Sequence, residues 1–92
     1  MRIRWTPAAL RDLEALHAYV AENNSHAAAH EVEQILSAVR ALSLHPELGR
    51  KGRVPGTREL IVPPFVVAYR VRKLDIELLA IIHTARRWPE LF

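Results

Sequence analysis

The chain has 92 residues and a mass of 10.5 kDa, is 50% hydrophobic and 25% charged, and contains no cysteine. This length and composition predict one globular domain over residues 1–92. The lack of cysteine excludes disulfides, thiolate zinc sites and cysteine nucleophiles. No apolar stretch approaches the roughly 20 residues of a membrane-spanning helix, and residues 1–5 lack the apolar run of a secretory signal. We therefore expect a cytoplasmic protein with no membrane partner.

The net charge of +3 conceals opposite charges in the two halves of the chain. Residues 1–49 carry four arginines against six acids, a balance of −2, whereas residues 50–92 carry nine bases against four acids, a balance of +5. A positive field of this kind favours polyanionic partners, either nucleic acid or an acidic protein segment. The alternative is that this charge serves only to keep the protein soluble, since a net charge of this size is ordinary for a small domain.

The periodicity of apolar residues predicts a strand and two helices in the first half of the chain. A short strand over Arg2–Trp5 precedes Thr6, which is typical of an N-cap, and Pro7 at the first helical position. Apolar residues three and four apart then predict a first helix and, from His26 to Leu44, a second helix capped by Ser25. The short connection predicts an antiparallel helical hairpin.

The second half of the chain has the period of strands. After a loop over residues 45–57, the pattern predicts strands over residues 58–62, 65–72 and 76–83. The last of these is almost continuously apolar, which is typical of a strand inside a sheet. The element order predicts a two-layer α+β domain, with the helical hairpin on one face of a sheet that includes a three-stranded antiparallel meander.

Two groups of basic residues are candidates for binding phosphate. The first is the loop containing Arg50, Lys51 and Arg53, whose glycines and guanidinium groups suit a phosphodiester backbone but which equally fits a solvated loop. The second group, predicted to project from one side of the sheet, could stabilise a phosphorane-like transition state; its members are Arg58, Arg70 and Arg72. The alternative for these arginines is cross-strand ion pairing with Glu59 or Glu77.

The end of the last strand offers acid-base chemistry. Histidine is a common general acid or base, and His83 is followed three and four residues later by Arg86 and Arg87, which could supply the electrostatic part of ribonuclease chemistry. The second proton-transfer group would come from one of three residues, Glu59, Glu77 or Tyr69. A purely structural role for His83 is the alternative.

Two other features complete the candidate sites. His26 and His30 are four residues apart on one predicted helix, but their spacing assures no acidic third ligand, so we assign no metal and expect no cofactor. The apolar C-terminal residues could dock a partner or close the domain's own core; they are Trp88, Leu91 and Phe92.

The order of several short motifs resembles the RelE/ParE superfamily of toxins from bacterial type II toxin-antitoxin systems. The motifs span nearly the whole chain; they are WTPAA at 5–9, DL at 12–13, YV at 19–20, AA at 27–28, HPELGR at 45–50, REL at 58–60, VAYRV at 67–71 and IIHTARRWP at 81–89. The resemblance implies the fold predicted above. It also implies a cognate antitoxin as partner, and the basic half of the chain indicates that the contacting segment is acidic and partly disordered.

The resemblance leaves two activities open. ParE-like members poison DNA gyrase, whereas RelE-like members cleave messenger RNA on the ribosome. The alanines at 27–29 and the length of the hairpin resemble ParE more closely, and the loop at Lys51 lacks a dense lysine series. We therefore favour gyrase as the target. In the ribonuclease alternative, Arg58, His83 and Arg86 would be catalytic, and a further alternative is a non-toxic module that only binds antitoxin.

Overall fold

The computed structural model describes residues 1–84, and residues 85–92 lie outside the described part. Two helices and five strands follow one another in the order β1 (Arg2–Trp5), α1 (Pro7–Ala21), α2 (Ser25–Ala41), β2 (Arg50–Lys51), β3 (Arg58–Val62), β4 (Phe65–Arg72) and β5 (Asp75–His83). The predicted α+β order of strand, helical hairpin and three-stranded antiparallel meander is confirmed. No helix within residues 1–84 is long and apolar enough to cross a lipid bilayer.

Three details of the prediction are wrong. The N-cap of α2 is Asn24, because its side-chain oxygen accepts a hydrogen bond from the Ala27 amide at 3.0 Å, and Ser25 is therefore the first helical residue. The helix ends at Ala41, three residues before the predicted Leu44. The predicted loop over residues 45–57 also contains the two-residue strand β2, which pairs with β3.

The strands form one mixed sheet in the order β1-β5-β4-β3-β2. Because β1 pairs with β5 in parallel and β4 pairs with it in antiparallel, β5 is an interior strand, which explains its long apolar run. β2 pairs only with Arg58 and Glu59 at the start of β3. Within the described residues, the outer edge of β3 beyond Glu59 therefore has no neighbouring strand.

The two faces of the sheet differ in chemistry. The face toward the helices carries the main core, in which residues from every layer pack together; its members include Ala9, Ile35, Val39, Leu42, Leu60, Val67, Tyr69, Ile76 and Leu78. The opposite face carries a small apolar cluster of Ala68, Ala80 and Ile82, with Val54 packed against it. Toward the β4–β5 turn, this helix-free face becomes entirely charged.

Side chains of α1 attach the helix directly to β5. The Thr6 hydroxyl oxygen accepts a hydrogen bond from the Ala9 amide at 3.2 Å, as expected of an N-cap, and donates one to the Leu78 carbonyl at 2.7 Å. The Asp12 carboxylate accepts a hydrogen bond from the Ile81 amide at 3.0 Å. This contact lies beside the register shift at which β5 has one residue more than β4. Helix and sheet are therefore joined at two points along β5.

Candidate functional site

The basic loop after Gly49 is organised around a buried carboxylate. Glu59 is 1% exposed and accepts hydrogen bonds from the Arg50 guanidinium at 3.1 Å, the Arg53 amide at 3.1 Å and the Arg53 guanidinium at 3.3 Å. Burial alone would raise the pKa of Glu59, but these hydrogen bonds outweigh burial and leave the pKa lowered. Of the three bases in this loop that were predicted to bind phosphate, Arg50 and Arg53 thus neutralise Glu59, while Lys51 is exposed on β2.

Arg58 holds the chain segment that precedes β2. Its guanidinium donates hydrogen bonds to the Gly49 carbonyl at 2.7 Å and the Glu47 carbonyl at 3.3 Å. Tyr69, which lies opposite Arg58 in the sheet, is fully buried; its hydroxyl donates to the Pro46 carbonyl and accepts from the Gly49 amide, both at 2.8 Å. Burial raises the pKa of the Tyr69 hydroxyl. In this structure, Arg58 and Tyr69 together fix the turn leading into β2.

The prediction that Arg58 shares one side of the sheet with Arg70 and Arg72 is wrong. Arg58 lies directly opposite Tyr69, and residues directly opposite each other in antiparallel strands point to the same face. Tyr69 belongs to the helix-facing core, so Arg58 is on that face. Because successive strand side chains alternate, Arg70 and Arg72 point to the helix-free face.

On the helix-free face, Arg70 and Arg72 form part of a larger charged array, which we call the arginine face: Arg2, Arg4, Arg70 and Arg72 around Asp75 and Glu77. Asp75 lies 3.1 Å from Arg2 and 3.5 Å from Arg4, and Glu77 lies 2.6 Å from Arg70 and 3.8 Å from Arg4. The hydrogen bond from Arg2 lowers the pKa of Asp75, and the hydrogen bond from Arg70 lowers the pKa of Glu77. The alternative prediction of an Arg70–Glu77 ion pair is confirmed.

His83 lies at the far end of the sheet from Arg58. The ring of the exposed His83 lies nearly perpendicular to the Phe65 ring, with ring centroids 5.8 Å apart. In the sheet His83 is opposite Phe65, and Phe65 is opposite Val62. Arg58 precedes Val62 by four residues, so it is about 13 Å from His83 along the strands, in addition to the separation across two strands. The structure therefore does not bring Arg58 and His83 to one site.

Five of the predicted site residues lie outside the described residues: Arg86, Arg87, Trp88, Leu91 and Phe92. Of the two histidines on α2, His30 forms a 3.0 Å side-chain hydrogen bond with Gln34. Within residues 1–84, no three histidine, aspartate or glutamate side chains are placed to hold a metal ion.

An open groove runs between α2 and the outer part of β3. It has a volume of about 510 Å³, and residues from both elements line it: His30, Glu33, Gln34, Ser37 and Ala38 from the helix, and Ile61, Val62 and Pro63 from the sheet edge. Ile61 is 45% exposed although it lies in a strand. The sequence analysis did not predict this groove. It also did not predict that Arg2 and Arg4 belong to the arginine face, although the alternation of polar and apolar residues over Arg2–Trp5 places both arginines on one side of a strand.

Solved structures with this arrangement of helices and strands include the following two. A chain of the chromosomal ParDE toxin-antitoxin system of P. aeruginosa superimposes with a TM-score of 0.81 and 32% identity, covering 90% of this chain and 95% of that one. The YoeB dimer of Staphylococcus aureus shares the fold, with a TM-score of 0.60 and 16% identity over 87% of this chain and 92% of that one. The fold is therefore that of the RelE/ParE superfamily.

Sequence comparison places the chain more narrowly. Residues 3–88 match the model of the ParE toxin of the type II toxin-antitoxin system parDE. The Y4kP protein of Sinorhizobium fredii is 41% identical over 98% of this chain and 95% of its own length. Toxin RelE2 of Caulobacter vibrioides is 31% identical over 92% of this chain and 97% of its own length. The chain belongs to the ParE family of type II toxins.

Proposed function

We propose that this chain stops bacterial growth by binding and poisoning DNA gyrase in the cytoplasm, and that it does not cleave messenger RNA. The observation that carries the proposal is the separation of Arg58 and His83 at opposite ends of the sheet. Ribonuclease chemistry needs proton-transfer groups within hydrogen-bond reach of one phosphodiester, with cationic groups beside them. Binding to a protein target does not require proton-transfer groups to lie close together.

The three candidates for a second proton-transfer group also support a protein target. Glu59 is buried and bound by two arginines, and Glu77 is ion-paired with Arg70 at 2.6 Å. The Tyr69 hydroxyl is committed to the Pro46 carbonyl and the Gly49 amide. Each of these groups stabilises the fold, and using one as an acid or base would break existing hydrogen bonds.

Two assays on one preparation test the proposal. We expect the purified chain to trap cleaved plasmid in a gyrase reaction and to leave messenger RNA intact on programmed ribosomes. His83→Ala should retain gyrase poisoning within about twofold, since His83 is an exposed residue at the end of β5. His45→Ala, which removes another exposed histidine, is the matched control.

Ribosome-dependent cleavage that disappears in His83→Ala but not in His45→Ala would contradict the gyrase proposal and support the ribonuclease. The ribosome assay is needed because one relative of this chain is named toxin RelE2. Expression without antitoxin tests the remaining alternative. Normal growth with soluble full-length chain present would show a non-toxic binding module instead of a toxin.

We propose further that a cognate antitoxin neutralises the chain by laying an extended segment along the α2–β3 groove. Among residues 1–84, no strand pairs with the outer edge of β3 beyond Glu59, and strand addition at such an edge is a common mode of peptide binding. Exposed Ile61 would supply apolar contact. The neighbouring loop keeps a net charge of +2 when Arg50, Lys51 and Arg53 are counted against Glu59, and this excess suits an acidic, partly disordered segment.

Ile61→Asp is expected to weaken antitoxin binding about tenfold or more, because it removes the apolar contact and puts a negative charge where the acidic segment would lie. Calorimetric titration of the toxin with antitoxin measures the change. Val71→Asp is the matched control, since Val71 is 43% exposed in a strand and lies away from the groove. Equal weakening by both variants would contradict the groove as the binding site.

A further inference from the structure

The arginine face is organised so that its positive groups are outermost. The side chains of Asp75 and Glu77 are only 19% and 13% exposed, whereas those of Arg2, Arg4 and Arg70 are 74%, 55% and 42% exposed. The carboxylates therefore lie beneath the guanidinium groups and hold them in place. A partner approaching this face meets the arginines first.

The charges on this face do not cancel. With Lys73 at the adjoining turn, the arginine face has five positive and two negative side chains, a net charge of +3. A cleft of about 230 Å³ opens among these groups, and every described residue that lines it is charged: Arg4, Arg72, Lys73, Asp75 and Glu77. The excess charge and the polar cleft predict an anionic ligand.

The composition of the face indicates which kind of polyanion it fits. All six strand positions of the arginine face are charged, so a bound protein segment would find no apolar centre there, although protein interfaces are depleted in charge at their core. Interfaces with nucleic acid are strongly positive and polar throughout. Arginine is also the side chain best suited to donate two hydrogen bonds to a phosphate.

We propose that the arginine face binds the phosphodiester backbone of nucleic acid without reading its sequence. The face lies on β1, β5 and β4 and points away from the helices, whereas the α2–β3 groove is at the other side of the sheet. Nucleic acid and a segment in the groove can therefore be bound together. The proposal goes beyond gyrase poisoning and does not depend on it.

Fluorescence anisotropy with the full chain and labelled mixed-sequence duplex DNA or single-stranded RNA tests the proposal. The test variant is Arg4→Gln with Arg72→Gln, which leaves Asp75 its closest partner Arg2 and leaves Glu77 its partner Arg70. Affinity at moderate salt is expected to fall about tenfold or more, and the slope of log affinity against log salt should fall by about two. Arg4→Lys with Arg72→Lys should keep most of that slope.

The control is Arg11→Gln with Arg40→Gln, which removes the same charge from exposed positions on the helices. An equal loss in this control would overturn the proposal, because it would show diffuse attraction only. No binding of either nucleic acid at physiological salt, or binding of polyglutamate in its place, would also overturn it. If the double variant does not give the wild-type thermal unfolding profile, Arg72→Gln alone should lower the slope by about one.

Discussion

Replacing Gly49 by alanine is expected to lower the free energy of unfolding by about 2–3 kcal/mol, the upper part of the range for overpacking a buried site. Gly49 is buried, and an added Cβ would lie 2.7 Å from Tyr69 Cε1, 2.8 Å from the Tyr69 hydroxyl oxygen and 2.9 Å from the Glu59 carbonyl. Two of these atoms belong to the Tyr69 side chain, and moving that side chain would strain the hydrogen bonds of its hydroxyl with Pro46 and Gly49. The substitution would therefore displace the turn into β2.

Urea unfolding followed by circular dichroism measures the change. Gly56→Asn is the matched control: Gly56 has a φ of +82° and open space around its Cβ position, and asparagine tolerates a positive φ better than most residues. This control should cost well under half of the Gly49→Ala effect. A Gly49→Ala protein as stable as the control would show that the turn and the Tyr69 ring can move apart freely, contrary to the packing described.

Replacing Glu59 by glutamine is expected to cost about 1–3 kcal/mol of stability at neutral pH. Oε1 of Glu59 accepts a hydrogen bond from Arg50, and Oε2 accepts from the amide and guanidinium of Arg53. Glutamine has one acceptor oxygen, so in either orientation its NH₂ group faces a donor. The resulting mismatch lies in a buried position and loosens the loop around β2.

The cost of Glu59→Gln should depend on pH in a defined direction. The pKa of Glu59 is lowered in the folded chain, so its charge stabilises the fold above the ordinary glutamate pKa of about 4.3 and the benefit is lost as pH falls through the lowered value. The stability difference between wild type and variant should therefore be largest near neutrality and shrink in acid. Since Asp75 and Glu77 are present in both proteins, subtraction removes their contribution. A difference that grows in acid would contradict the ionised clamp.

Local chemistry accounts for the elements that were predicted correctly. Thr6 and Pro7 start α1 through contacts within one turn, and the period of apolar residues marks each helix and strand. The N-cap of α2 shows the limit of such reasoning, because Asn24 and Ser25 are adjacent and both suit the position. Strand β2 was missed because two residues form a strand only by pairing with β3.

The candidate site depended much more on tertiary structure. Alternation along each strand was predictable, but the relation between Arg58 and Arg70 required the register between β3 and β4. The charge of the loop at Arg50 and Arg53 was visible in the sequence, whereas the buried partner Glu59 was not. Charge and residue type thus identify candidates, and pairing decides which of them are committed to the fold.

Contacts between near neighbours and the order of motifs were enough to predict the element order apart from β2, the two-layer class and the resemblance to ParE and RelE toxins. The face that Arg58 occupies and the carboxylate that each paired arginine meets follow from strand pairing, which exists only in the folded chain. The Arg2–Asp75 pair joins residues 73 positions apart, and it exists because β1 runs parallel to β5. Such pairing depends on the free energy of the whole sheet, which no local pattern contains.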